Sequence, residues 1–133
     1  MQFVAIIYIK EIHLVDLIYK EEAYKIVGIC MEVHKLLGHG FLEIVYKDAI
    51  EYEFKKAKIP YEREKKYEIN YKSVILPHNY YADFVVYNDV ILEVKCASGV
   101  IEEHLNQVLN YLAVSKCKLG LIINFGKGSL EYK

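Results

Sequence analysis

The 133-residue chain has no tryptophan, two prolines and three cysteines, and of its 17 cationic side chains only Arg63 is an arginine. Each scarcity closes off a class of protein. Cys30, Cys96 and Cys117 are odd in number, far apart and form no C-x-x-C pair. Neither a disulfide framework nor a structural zinc site is expected from them; free thiols in a reducing cytoplasm are. A single arginine cannot supply the several bidentate forks of direct base readout. The net charge is only -1 and the pI about 6.5, so no global positive field exists and any nucleic-acid contact must be local. No apolar run approaches the ~18 residues of a membrane span. The N-terminal run from Phe3 to Ile9 is too short, and no signal-peptide cleavage pattern follows it. The expectation is a cytoplasmic protein with no membrane partner. Disorder is excluded by a composition 54% hydrophobic and 26% charged, because such a chain can bury enough apolar surface to fold.

The chain is also short of the better-known catalytic signatures. It has no P-loop, no G-x-G-x-x-G, no G-x-S-x-G and no H-E-x-x-H. His13, His34, His39 and His78 lack zinc spacing. His34, near an apolar helix stripe, reads as a partly buried structural histidine.

No repeat, low-complexity block or linker divides the sequence. Residues 1–15 read as an N-terminal extension: an edge strand, a tail that docks on a partner through residues 3–9, or translated upstream sequence. Residues 16–133 read as one domain. Helical spacing of Ala23, Ile26, Val27, Cys30, Val33 and Leu37 predicts a helix over 20–37, stopped by Gly38-His39-Gly40. A second helix follows over 42–57, with Pro60 beyond it. Alternation predicts a strand over 61–71 and a turn over 72–79. Strands at 80–87 and 90–96 flank Asn88-Asp89, a hairpin signal. Ile101, Leu105, Val108 and Leu112 make the stripe of a helix over 101–115, with Glu102 and Glu103 in its first turn. A buried strand is expected over 118–125, and residues 130–133 can begin another. The order α-α-β-β-β-α-β predicts an α/β or α+β fold, a mixed central sheet flanked by helices.

The chemistry concentrates in the middle of the chain. Glu93 and Lys95 lie two apart on a strand and share a face. Both fall inside the apolar run VILEVKC, where an unpaired charge is costly. Asp83 adds a second carboxylate on the preceding strand. Two carboxylates held close repel, and a hard divalent cation such as Mg²⁺ or Mn²⁺ relieves that repulsion. A neighbouring ammonium can orient water or steady charge developing on a phosphate oxygen. Together these are the requirements of metal-assisted phosphodiester hydrolysis; a plain structural ion pair is the competing reading. The cluster makes a geometric demand. A two-residue turn at Asn88-Asp89 pairs Tyr87 with Val90 and sets Asp83 opposite Val94, facing away from Glu93. The connection must therefore contain an odd number of residues, or a strand must carry a bulge.

Two helices frame this cluster. His104, Gln107 and Tyr111 form a polar stripe beside the apolar stripe of the last helix, with His104 a candidate substrate contact. Glu43 and Tyr46 share a face of the second helix. Glu43 is in its first turn, where the dipole favours an anion, and Tyr46 reads as core with a satisfied hydroxyl. The lysine-rich stretches 55–66 and 116–127 are candidate phosphate contacts, although glutamates interleave the first. Most of the 13 tyrosines are expected to serve packing.

The segments EVHKLLGHG and GFLEIVY (Gly40 to Tyr46), then YADFVVYNDVILEVK, NQVLNYL and KLGLIINFG, resemble in that order the GxxExxY protein family of the PD-(D/E)XK nuclease-like superfamily, over roughly residues 16–133. The resemblance implies a restriction-endonuclease-like core. It implies Asp83, Glu93 and Lys95 as the catalytic trio, and Glu43, Asp83, Glu93 and the Val94 carbonyl as ligands of Mg²⁺ or Mn²⁺. Gln107 and Tyr111 match a Q-x-x-x-Y element of recombination-type exonucleases. Ala82 replaces the proline of the motif's name, which carries no chemistry. The implied function is a divalent-metal-dependent nuclease-like protein hydrolysing phosphodiester bonds in DNA or RNA. The alternative is a catalytically silent module on the same fold that binds nucleic acid, a protein partner through residues 3–9, or a second copy of itself.

Overall fold

A computed structural model describes residues 19–98 and 102–126, together with the strand backbones of Tyr8–Ile9 and Glu131–Tyr132. The first helix, α1, spans Lys20–Leu37 and buries Ala23, Ile26, Cys30, Val33 and His34 along one face. Glu21 and Glu22 lie in its first turn and His34 and Lys35 in its last, the placement the helix dipole favours. It stops where Gly38 turns to φ 70° and donates its N–H to the His34 carbonyl at 2.8 Å. The second helix, α2, spans Glu43–Ala57, buries Tyr46, Ile50 and Phe54 at four-residue spacing, and ends at a left-handed Lys58. Tyr46 is core, as expected: it is fully buried, its hydroxyl donates to the Gly38 carbonyl at 2.6 Å, and its ring stacks on Phe125.

The sheet is mixed. Naming strands in chain order, β1 is Tyr8–Ile9, β2 Tyr61–Tyr67, β3 Asn70–Tyr71, β4 Val74–Ile75, β5 Tyr80–Val86, β6 Val90–Lys95, β7 Leu119–Asn124 and β8 Glu131–Tyr132. The main sheet runs β1-β7-β6-β5-β2, with β8 also on β7. The pairs β2/β5 and β5/β6 are antiparallel. Strands β6 and β7 are parallel and joined through the third helix, α3, Glu102–Ser115, the crossover that parallel neighbours require. This is the expected restriction-endonuclease-like arrangement. Tyr8–Ile9 pairs with Gly120 and Leu119 on β7, which realises the edge-strand option; residues 3–7 lie outside the described residues. The expected strand over 61–71 is shorter. It ends at Tyr67, and Lys72 and Ser73, at φ 48° and 67°, close a separate β3/β4 hairpin that takes the last two residues of the expected strand and the start of the expected turn.

Strands β6 and β7 are almost continuously buried, because both of their faces are covered. On one face α1 and α2 pack against Phe84, Val86, Leu92, Val94, Leu121 and Ile123. On the other, Val108 and Leu112 of α3 pack with Tyr80, Ala82, Val85, Ile91 and Ile122.

The β5/β6 register meets the demand set by the sequence. Val86 pairs with Val90 across the three-residue connection Tyr87-Asn88-Asp89, whose first two residues stand at φ 54° and 62°. Continuing that register sets Asp83 opposite Glu93. The ladder itself ends one step earlier, at Phe84–Leu92. Beyond that step β5 stays with β2 as far as Tyr67–Tyr80, and β6 stays with β7 as far as Lys95–Asn124. The sheet therefore forks. Asp83 fills the opening: its Oδ2 accepts the Val94 N–H at 2.8 Å. Alternation along β5 also breaks there, since Ala82 and Val85 share the α3 face. Across β2 the ladder runs Arg63–Phe84 and Lys65–Ala82, which sets Glu64 opposite Asp83, and Glu64 takes the left-handed φ of 53°.

The far end of β6 is pinned to β7. The Asn124 side chain accepts the N–H groups of Ala97 and Gly126, each at 3.0 Å, and donates to the Ala97 carbonyl at 3.1 Å. A Cβ on Gly126 would stand 2.1 Å from the Ala97 carbonyl oxygen. Gly126→Ala is expected to destabilise the protein by about 1–3 kcal/mol. Urea unfolding checks this, and an unchanged midpoint would show that the two strand ends do not approach so closely.

Candidate active site

The fork gathers polar side chains from five elements. Strand β5 brings Asp83 and β6 brings Glu93, both buried. Helix α2 delivers Lys47, whose ammonium lies 3.0 Å from Asp83 Oδ1 and 2.6 Å from Glu64 Oε1 of β2. From the other face of the sheet, the Tyr80 hydroxyl donates to Glu93 Oε1 at 2.9 Å. Tyr111 of α3 lies against the Tyr80 ring, stacked at 3.5 Å between centroids, and Tyr67 stacks on Tyr80 at 5.7 Å.

Glu93 and Asp83 are both buried, near enough for the Asp83 charge to act on Glu93. Burial pushes the Glu93 carboxyl well above the usual carboxylate range, and the Asp83 charge and hydrogen bond push it the same way. The Tyr80 hydrogen bond and the Lys95 charge pull it back only in part. The net effect favours the neutral form of Glu93 more than for a free carboxyl. Burial also raises the Glu43 carboxyl, with Asp83 adding to the shift and Lys95 and Lys47 opposing it. Lys47 behaves differently. Burial alone would lower its pKa, but the hydrogen bonds to Glu64 and Asp83 outweigh burial and raise it. Its ammonium is a fixed charge in a nearly closed site, with the side chain only 12% exposed.

The residues singled out from sequence are only partly brought together. Asp83, Glu93 and the Val94 peptide meet directly. Lys95, half-buried beside them on β6, acts on Glu93 and Glu43 through its charge. Glu43 faces the same group from the first turn of α2. Among the described residues no three acidic, histidine or cysteine side chains converge closely enough to cage an ion, so Glu43 stands off from the Asp83–Glu93 pair. Tyr111 reaches the site through its stack on Tyr80. Gln107 lies one turn earlier on α3, half-buried and without a hydrogen bond to these carboxylates. His104 is half-buried in the first turn of that helix.

A model of the PD-(D/E)XK nuclease superfamily matches residues 20–133. The chain belongs to that superfamily. Comparison with curated proteins and with solved structures finds no significant match. The superfamily's name describes the segment at the fork: E-V-K at Glu93 to Lys95, preceded by Asp83 with Ala82 in the place of proline. Among the described residues no helix is long and apolar enough to cross a membrane.

Three participants escaped the sequence reading. Lys47 lies four residues after Glu43, so helical spacing alone sets both on one face of α2. Glu64 looked like one of several solvated charges on β2. Tyr80, with its hydroxyl on Glu93, read as one more packing tyrosine.

The Glu93 shift has a stability consequence. A carboxyl whose folded pKa lies above its unfolded value keeps a proton that the unfolded chain releases. Its contribution is fully present below the ordinary carboxylate range and is lost as pH rises towards the folded value. Glu93→Gln removes that loss and can still accept from Tyr80. The metal-free variant should therefore be more stable than wild type at neutral pH, by on the order of 1 kcal/mol. Its stability should also fall less steeply as pH rises from the ordinary carboxylate range to neutrality. Urea unfolding across that range checks this; an unaltered slope would mean that Glu93 ionises as freely as in the unfolded chain.

Proposed function

We propose that this member of the superfamily is a divalent-metal-dependent phosphodiesterase acting on nucleic acid. The observation that carries the reading is the opening of the β5/β6 ladder, where buried Asp83 accepts the Val94 N–H next to buried Glu93, with Lys95 two residues further along the same strand.

The donors fit a hard cation. Two carboxyls brought together in a buried site repel when both ionise, and a hard cation relieves that repulsion. The Val94 carbonyl is on the residue whose N–H Asp83 accepts, one peptide further along β6. All of these are oxygen donors, the set suited to Mg²⁺ or Mn²⁺. Mg²⁺ needs only one or two protein carboxylates because it retains water, so Glu43 can act from the second row through its charge or through water. When bound, such an ion supplies positive charge at a phosphate oxygen and makes a water more acidic.

The chain's own groups do the rest. Asp83 and Glu93 orient the cluster. The Lys95 ammonium holds the attacking water or steadies the charge that grows on the phosphoryl oxygen. The Tyr80 hydroxyl keeps Glu93 in place, and Tyr111 buttresses Tyr80. Gln107 and His104 stand on the same helix as Tyr111. Cys30 and Cys117, buried free thiols, are compatible with a reducing cytoplasm. Residues 16–133 would form the catalytic domain, with Tyr8–Ile9 as an edge strand and no docking role required of residues 3–9.

One observation favours the silent alternative: Lys47 already neutralises Asp83. A panel of single-stranded DNA, double-stranded DNA and RNA with Mg²⁺, Mn²⁺ or EDTA separates the two. Metal-dependent cleavage is expected. Lys95→Ala should slow it by roughly 10²–10⁴-fold while keeping the rise in melting temperature that Mn²⁺ produces, and Asp83→Asn should lose both. Absence of cleavage together with absence of any metal-induced stabilisation would favour the binding module.

A further inference from the structure

Lys47 does more than neutralise a carboxylate. Asp83 commits Oδ2 to the Val94 N–H, which leaves Oδ1 as its oxygen for an external ligand, and Lys47 occupies Oδ1 at 3.0 Å. An ammonium and a divalent cation cannot share that oxygen at contact without strong repulsion in a buried site. Glu64 supplies the way out. It stands opposite Asp83 across the β2/β5 ladder, and its left-handed φ of 53° is one that non-glycine residues seldom adopt within a strand. Its carboxylate is already the nearer partner of Lys47, 2.6 Å against 3.0 Å. It is also the more solvated of the two, its side chain 48% exposed against 12% for Asp83. An ammonium leaving Asp83 therefore keeps a charged partner and gains water.

We propose that Lys47 is a latch on the metal position, holding Asp83 Oδ1 in the metal-free protein and resting on Glu64 alone once a divalent cation takes that oxygen. Lys47 thus acts as an internal stand-in for the cation, and Glu64 as the positioning residue that receives it. The inference rests on the reading of Asp83 and Glu93 as metal-holding.

Calorimetric titration of the full chain with Mn²⁺ tests the latch without reference to turnover. Lys47→Met, which removes the competitor at similar volume, should bind Mn²⁺ at least about fivefold more tightly than wild type. Glu64→Gln leaves Lys47 in place and removes its receiver, so it should bind several-fold more weakly. In the Lys47→Met background, Glu64→Gln should change affinity by less than about twofold, because Glu64 acts through Lys47. A through-space charge effect of Glu64 would instead persist at full size in both backgrounds. If Lys47→Met does not fold, Lys47→Gln repeats the comparison with hydrogen bonding kept and the charge removed. Binding to wild type that neither Lys47 variant strengthens would overturn the latch while leaving the metal site standing. Equal Glu64→Gln effects in the two backgrounds would overturn the role given to Glu64. No Mn²⁺ binding by wild type or any variant would overturn the metal-holding reading, and the latch with it.

Discussion

The Asp83 carboxylate takes the Val94 N–H where an unbroken antiparallel ladder would offer a backbone carbonyl. Much else depends on that substitution. A buried N–H cannot be left unpaired at tolerable cost, so strands β5 and β6 can part at this point only because a side chain fills the vacancy. The parting lets β5 follow β2 and β6 follow β7. It also exposes two carboxyls to each other inside the sheet. A lysine from α2 reaches one of them, and a tyrosine on the α3 side reaches the other.

The charge balance of the fork is incomplete as it stands. Four carboxyls, on Glu43, Glu64, Asp83 and Glu93, surround two ammonium groups, on Lys47 and Lys95. With every group ionised the cluster would carry an excess of two negative charges in a largely buried place. Because it favours the neutral form, the upward shift of the Glu93 carboxyl works against that excess. A divalent cation would remove it altogether, which is why an all-oxygen, carboxylate-rich fork suits such an ion better than a structural ion pair does. In the proposed mechanism Lys95 acts on the phosphate, while Lys47 carries the contact with Asp83.

Most of the fold was legible in the sequence because its elements obey strong local rules. Periodicity and the glycine break located α1 and α2 almost to the residue, and continuous apolar runs marked β6 and β7 as covered on both faces. The parity of the β5/β6 connection was legible as a requirement, since a two-residue turn would have turned Asp83 away from Glu93. The β3/β4 hairpin was not, because its turn relies on Lys72 and Ser73 at positive φ, which composition does not announce. Within the site, Asp83, Glu93 and Lys95 stood out as charges in apolar surroundings. Glu64 and Lys47 did not, because each is an ordinary charge on an otherwise solvated element. Their importance comes from the pairing of β2 with β5 and from the packing of α2 over the fork, both of which join residues distant in sequence. Gln107 shows the converse: its spacing before Tyr111 was clear, yet only Tyr111 is tied into the cluster, through Tyr80.

The central proposal is that a divalent cation binds at the Asp83–Glu93 pair and displaces the proton whose retention the upward shift of Glu93 favours. Counting the protons set free on Mn²⁺ binding tests it most directly, by calorimetric titration at neutral pH in buffers of different ionisation enthalpy. The account expects release of about one proton per bound ion, abolished in Glu93→Gln. Binding with no proton release, or with the same release in that variant, would contradict it.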